Sequence, residues 1–279
     1  MSLKNQASSV VYWSSMQLFG AQAIGFGVIN EIIGEKDILL IEDNCESLGA
    51  EHKGKQTSAF GIVGKYSTFF SHHMSTKEGG LVATDDKEIY NMLISLRAHG
   101  WTRHLPKENL VSNKSDNWFE ESFSFLLPNY NVRPGVLHGA LGVEQLKKLD
   151  RLIDQRRKNA AFFKKTFAEF DFIQTQREIG ESSWFGFSMI LKENCPFTRA
   201  QLIQAFEQNQ VECRPIVSGN FVKNEVLKYF DYRVVGTLKN AEKVDTSGLF
   251  LGNHHYDISD QINHAAQVIK NLIIQTESK

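Results

Sequence analysis

"DILLIEDNCESLGAEHKGKQTSAFGIVGKYSTFFSHHMSTKEGGLVATDD", Asp37 to Asp86, decides how the chain folds. Its first seven residues form a short apolar run closed by acid, the pattern of a strand buried on both faces of a parallel sheet. "KYSTFF" and "GGLVATDD" supply the next two strand candidates. Between them stand His72 and His73, a neighbouring pair in a chain with nine histidines. No cysteine or carboxylate accompanies the pair at metal-ligand spacing, so no metal site is expected there. Adjacent residues of an extended segment point to opposite faces, so only one of the two is expected to share a cleft with the strand ends.

Outward from this stretch, strands alternate with helices, as in a parallel sheet covered on both faces. "DKEIYNMLISLRAHG" reads as a helix with Ile89, Met92, Leu93 and Leu96 on one face and Gly100 as its stop. Residues 101–130 are irregular and rich in Asn, Ser and aromatics, the mark of a long functional loop. "PGVLHGALGVEQLKKLDRLIDQRRKNAAFFKKTFAEF" is helical over two or more segments. From Ile173 the order becomes strand ("SWFGFSMILK"), helix ("TRAQLIQAFEQN"), strand ("VECRPIV") and a closing helix ("SDQINHAAQVIKNLIIQ"). An α/β fold follows, with a large domain over residues 1–150 and a small α+β domain over 151–279. The opening "MSLKNQ" carries no information.

The 42% hydrophobic and 23% charged content are those of an ordinary globular chain. Lys plus Arg number 31 against 32 Asp plus Glu, a net charge of −1, which gives no electrostatic basis for binding nucleic acid. Cys45, Cys195 and Cys213 are few, scattered and odd in number, which fits a reducing cytoplasm. No apolar run approaches the ~20 residues of a membrane span, so no membrane partner is expected.

Asp43 closes its strand where open α/β sheets place ligand-binding groups, and a carboxylate there can hold a protonated ring nitrogen. An N-cap or turn aspartate explains the same position. Ser67 ends the next strand, where a hydroxyl can bind phosphate, although an isolated serine says little. "KEGG", Lys77–Gly80, permits a tight turn or close backbone approach.

In this order and spacing the motifs resemble the sugar-nucleotide aminotransferase family of the DegT/DnrJ/EryC1/StrS type. Its pattern is a strand ending Glu-Asp, then Leu-Gly-Ala, a Lys-Gly-Lys hairpin, an aromatic strand with Ser, a cofactor-binding lysine, and Glu-Gly-Gly before an apolar strand. The likeness continues through "LRAHGW" and "LPNYNVRPGVLHGALGVEQL" and more weakly to the end. It implies the type I aspartate-aminotransferase fold: a mostly parallel central sheet with helices on both faces, plus the smaller C-terminal α+β domain. It also implies pyridoxal 5'-phosphate or pyridoxamine 5'-phosphate as cofactor, and a homodimer with shared active sites.

One position departs from the pattern. The lysine is expected five residues after Ser67 and six before Glu78, and both counts land on His72. "SHHMST" is similar to the dehydratase branch of the family. A lysine amine condenses with the cofactor aldehyde and recaptures it after each turnover. Imidazole forms no such stable bond, yet with an ordinary pKa of ~6.5 it takes and returns protons near neutrality. The resemblance therefore implies His72 as catalytic base in a 3-dehydratase acting on a 4-keto-6-deoxy sugar nucleotide, GDP-linked, with glutamate as amino donor. The product that the resemblance implies is a dideoxysugar of the colitose type for polysaccharide. Three scattered cysteines fall short of the four that an iron–sulfur cluster usually needs, which favours the branch working with the pyridoxal cofactor alone.

Further roles come with the resemblance. Asp43 would pair with the pyridinium nitrogen, with Glu46 nearby, and Ser67 would bind the cofactor phosphate. Asn131, in "NYNVR", would reach the phosphate of a neighbouring subunit, though Asn129 replaces the usual glycine of that motif. His99 and Arg103, in "RAHGWTRH", would lie near substrate, and Arg214 near the nucleotide diphosphate, where a surface arginine after a strand explains it equally. Family members carry roughly a hundred further residues ahead of "LFGAQAIGFGVINEI", including a helix N-terminus that cradles phosphate. A conventional aminotransferase using another lysine, or a silent shortened homologue, are the competing expectations.

Overall fold

The computed structural model describes residues 9–14, 26–34, 36 and 38–278, so the opening "MSLKNQ" lies outside the described residues. The chain divides into two compact units. The first takes in most of β1 (Ser9–Ser14), α1 (Phe26–Gly34), and residues 38–44 and 55–147; the second takes in 45–54 and 148–278.

In the first unit β2 (Ile38–Asp43) is the predicted apolar strand. Lys53 and Gly54, in the chain between two-residue strands β3 (Glu51–His52, of the second unit) and β4 (Lys55–Gln56, of the first), both take positive φ, 52° and 72°. This is the left-handed turn that suits a tight hairpin. Strands β5 (Val63–Ser67) and β6 (Gly80–Ala83) complete a four-stranded sheet of order β1-β2-β5-β6. β2 and β5 run parallel with Asp43 opposite Lys65, whereas β5 and β6 run antiparallel with Ser67 opposite Gly80.

The strand expected over "KYSTFF" stops at Ser67, because the Ser67 hydroxyl accepts the Phe69 N–H (3.2 Å) and turns the chain off the sheet. At Gly80 a Cβ would lie 2.8 Å from the Tyr66 carbonyl oxygen, so the second glycine of "KEGG" lets β6 close on β5.

Helix α2 (Lys87–Leu96) starts where Asp86 accepts the Ile89 N–H at 2.9 Å, and buries Ile89 and Ser95. The expected loop 101–130 contains a short helix, α3 (Trp118–Glu121), capped by Asn117. α4 (Val136–Leu146) follows with no buried residue and with Val136, Leu137, Leu141, Val143 and Leu146 exposed.

The second unit is built on α5 (Leu149–Phe167), whose Leu152, Arg156, Ala160, Phe163 and Phe167 recur at helical spacing on the buried face. β7 (Ile173–Thr175), β8 (Gly186–Leu191), β9 (Cys213–Arg214) and β10 (Gly248–Gly252) form an antiparallel sheet of order β7-β8-β10-β9. α6 (Arg199–Gln208) opens on a capping box between Thr198 and Gln201; α7 (Lys239–Ser247) and α8 (Ser259–Glu277) complete the unit.

"VECRPIV" yields only the two residues of β9, since Pro215 has no N–H to donate to a ladder. The core is aromatic: the rings of Phe163 and Phe187 stack at 4.3 Å, and Phe167, Phe172, Phe197 and Phe206 are buried around them. Burying such a side chain contributes about 1.5–3 kcal/mol.

Candidate active site

Parallel neighbours end at the same edge of a sheet, so the last residues of β2 and β5, Asp43 and Ser67, open on one side. Alternation along β5 puts Lys65 and Ser67 on one face, and the register puts Asp43 beside Lys65 on that face. The Lys65 ammonium lies 3.2 Å from Asp43 Oδ2. Asp43 is 7% exposed, and the half-exposed lysine supplies a positive charge that a carboxylate in that position needs.

Glu42, one residue earlier, points the other way and is fully buried. Its carboxylate accepts the N–H groups of Ser58 (2.7 Å), Phe60 (2.7 Å) and Gly61, and the Asn44 amide (3.1 Å). It ties the segment after β4 to β2 and so fixes the strand end carrying Asp43.

The histidine loop leaves β5 and returns to β6 at the same edge. Thr68 N–H donates to the Gly79 carbonyl (3.0 Å) and Thr76 N–H to the Thr68 carbonyl (2.8 Å). The two threonine hydroxyls meet at 2.7 Å, and Thr76 Oγ1 also donates to the Glu78 carbonyl at 2.8 Å. This closed neck presents residues 69–75 as one compact turn, with His72 N–H donating to the Phe69 carbonyl (3.0 Å). His72 is half-buried, its ring edge-on to Phe69 at 6.1 Å, whereas His73 and Met74 are buried. α4 approaches this loop: a Cβ at Gly142 would lie 3.3 Å from Thr76 Cγ2.

Asn131 lies on a short antiparallel pairing of residues 97–102 with 124–132. Ala98 bridges Asn131, His99 N–H donates to the Tyr130 carbonyl (3.1 Å), and Trp101 bridges Phe125. The pairing needs Gly100, at φ 77°, because a Cβ there would lie 1.6 Å from the Leu127 oxygen. His99 is exposed and itself left-handed, at φ 62°, a conformation that costs a non-glycine residue about 1 kcal/mol. The Asn131 Oδ1 accepts the Arg133 backbone N–H (3.3 Å) and Nε–H (3.1 Å). Arg103 is exposed, with its guanidinium carbon 3.7 Å from the Trp101 ring centre.

Asp43, Ser67, His72, His99, Arg103 and Asn131 thus all belong to the first unit. Glu46 is buried in the second, and Arg214 is exposed on β9 of the second unit, paired with Glu212. The sequence reading missed Lys65, although its place two residues before Ser67 already puts it on the same face. It also missed Glu42, whose buried acceptor role has no local signature.

The first-unit side chains fit a pyridoxal cofactor by their chemistry. A buried carboxylate is an acceptor for a protonated ring nitrogen, a hydroxyl at a strand end suits phosphate, and an imidazole stands on the adjoining loop. Among the described residues no group of His, Cys, Asp and Glu is disposed to hold a metal, and no helix is long and apolar enough to cross a membrane.

A GDP-4-keto-6-deoxy-D-mannose 3-dehydratase of Yersinia pseudotuberculosis is 53% identical over 247 residues, which are 88% of this chain and 63% of that protein. The chain therefore spans less than two thirds of that relative's length. The solved Escherichia coli GDP-4-keto-6-deoxy-D-mannose-3-dehydratase, with bound hydrated PLP, aligns with a TM-score of 0.90 at 50% identity, covering 94% of this chain and 67% of that one. A second structure, GDP-4-keto-6-deoxymannose-3-dehydratase with a trapped PLP–glutamate geminal diamine, aligns with a TM-score of 0.89 at 50% identity over 94% of this chain and 67% of that one. The fold is that of the PLP-dependent aminotransferases. The profile of the DegT/DnrJ/EryC1/StrS aminotransferase family matches residues 14–272, and the chain belongs to that family.

Proposed function

We propose that the chain carries the dehydratase chemistry of its relatives: removal of the 3-hydroxyl of GDP-4-keto-6-deoxy-D-mannose with a pyridoxal cofactor and glutamate as amino donor. The observation that carries this reading is His72, an imidazole on the closed loop after Ser67 in the register where the family's pattern has a lysine. The likeness to two dehydratases at 50% identity or more supports it. When bound, pyridoxamine phosphate supplies the electron sink that lets a hydroxyl leave from the carbon next to the ketone. Glutamate is oxidised to 2-oxoglutarate and ammonia while the sugar carbon is reduced from CHOH to CH2, so electrons and oxygen balance.

Each residue has a task in this reading. Asp43, beside Lys65, accepts the ring N–H, and Ser67 donates to the phosphate. His72 takes a proton and returns it without forming a covalent tether. His99 and Arg103 contact the substrates, Arg214 the nucleotide diphosphate, and Glu46 the cofactor.

We further propose a homodimer in which Asn131 reaches the partner's cofactor phosphate. The exposed apolar side chains of α4, just after Asn131, support a protein surface there. The three cysteines form no disulfide, which suits the cytoplasm. The product, a 4-keto-3,6-dideoxy sugar nucleotide, suits dideoxysugar synthesis of the colitose type.

The test supplies pyridoxal phosphate, glutamate and GDP-4-keto-6-deoxymannose. Ammonia and a dehydrated sugar nucleotide are expected in equal amounts, and His72→Asn should abolish both. An amino group retained on the sugar would instead make the chain a conventional aminotransferase.

A further inference from the structure

The segment after Gly100 builds a rigid support under one side chain. Trp101 donates from its indole N–H to the Ser122 carbonyl (2.9 Å) and lies nearly parallel to Phe123 (5.6 Å, 15°) and Phe125 (5.8 Å, 20°). On the indole sits the Arg103 guanidinium, 3.7 Å from the ring centre and 5.9 Å from that of Phe123. A terminal Arg103 nitrogen reaches the Ser122 carbonyl only at 3.4 Å.

The backbone beneath Arg103 is gathered by Lys114, whose ammonium donates to the carbonyls of Leu105 (2.9 Å), Thr102 (3.2 Å) and Arg103 (3.4 Å). Lys114 also lies 4.0 Å from Glu121, which accepts the Thr102 hydroxyl.

A long, exposed arginine ordinarily samples many rotamers and loses that freedom when it binds. Stacking occupies the face of the guanidinium and leaves its in-plane N–H donors for a planar or tetrahedral oxyanion. We propose that Trp101 and Lys114 are positioning residues that preset Arg103 as an oxyanion clamp, Trp101 fixing the guanidinium plane and Lys114 the backbone from which it rises. The inference rests on the proposed reaction for its ligand, which is either the carboxylate of the amino donor or the diphosphate of the sugar nucleotide.

Calorimetric titration of the full chain with GDP and, separately, with L-glutamate distinguishes these sources. Trp101→Leu is expected to weaken whichever ligand Arg103 grips by about fivefold and to leave the other unchanged. Trp101→Phe, which keeps an aromatic face, should restore most of the loss, a rescue that a merely structural role does not produce. The Arg103 Nε–H resonance should be displaced by the indole ring current in the wild type and move to an ordinary position in Trp101→Leu.

Should Trp101→Leu fail to fold, Lys114→Met carries the test, with the same selective loss expected. Wild-type affinity for both ligands in the folded variants overturns the proposal, as does a folded wild type that binds neither. A chain that binds through Arg103 but releases no ammonia keeps the clamp and refutes the dehydratase reading alone.

Discussion

The Lys65 ammonium lies 3.2 Å from Asp43 Oδ2, across a parallel register that sets the two residues side by side. The pair sets a positive charge beside the strand-end carboxylate. Because Lys65 is about half exposed, the pair itself contributes at most about 1 kcal/mol. Lys65→Met should therefore weaken pyridoxal phosphate binding no more than about fivefold. Asp43→Ala, which removes the acceptor itself, should cut turnover at least about a hundredfold. Absorbance titration with the cofactor and a steady-state assay measure the two effects; equal losses in both variants would contradict the assignment.

Glu42 is the structural counterpart of Asp43. Glu42→Ala would remove the acceptor of the Ser58, Phe60 and Gly61 N–H groups and one of the two acceptors of the Asn44 amide, in a buried to half-buried site. At about 1–3 kcal/mol per stranded buried group, partly relieved by water, a loss of about 3 kcal/mol or more is expected. Chemical denaturation measures it, and a change under 1 kcal/mol would show that the segment after β4 holds itself.

The Thr68–Thr76 pair closes the neck of the histidine loop at 2.7 Å. Thr76→Val keeps the shape but removes the hydroxyl that donates to the Glu78 carbonyl. The net stability change should be about 1 kcal/mol, while turnover falls about tenfold as His72 loses its fixed placement. Parallel melting and rate measurements separate these, and unchanged turnover would mean that the neck does not hold His72.

Glu178 offers a pH test in the second unit. Burial alone would raise its carboxyl, but hydrogen bonds from Lys164 and Trp184, the Lys164 charge and the Ser182 N–H together hold it below the ordinary value of 4.5. A depressed acid stabilises the fold above its unfolded pKa and loses that contribution as pH falls through the folded value. Glu178→Gln should therefore lower the melting temperature at pH 7, and the gap to wild type should close as pH drops below about 4.5. A gap independent of pH would contradict this.

Much of the sheet was legible because its signals are local. "DILLIED" became β2 nearly residue for residue, and the helices expected from Asp86 and from Thr198 begin at Lys87 and Arg199. β5 ended early because a side-chain hydroxyl, not hydrophobicity, turns the chain at Ser67. "VECRPIV" shrank because a missing donor at Pro215 outweighs β-branched neighbours.

The site shows the same division. His72, Asp43 and Ser67 drew attention only through resemblance to the family's motif order, not through any signal of their own. Lys114 and Glu42 were invisible because their partners are backbone groups up to 19 residues distant, which only the folded chain brings near. Trp101 was readable only as one aromatic among many until Arg103 was seen lying on it.

The central claim is that an imidazole stands where an amine would tether the cofactor. Borohydride reduction of the chain incubated with pyridoxal phosphate, followed by peptide mapping, tests it most directly. No specifically labelled lysine is expected in the wild type, and His72→Lys should acquire a label at position 72. A stoichiometric label on Lys65, Lys77 or any other lysine of the wild type would contradict the account.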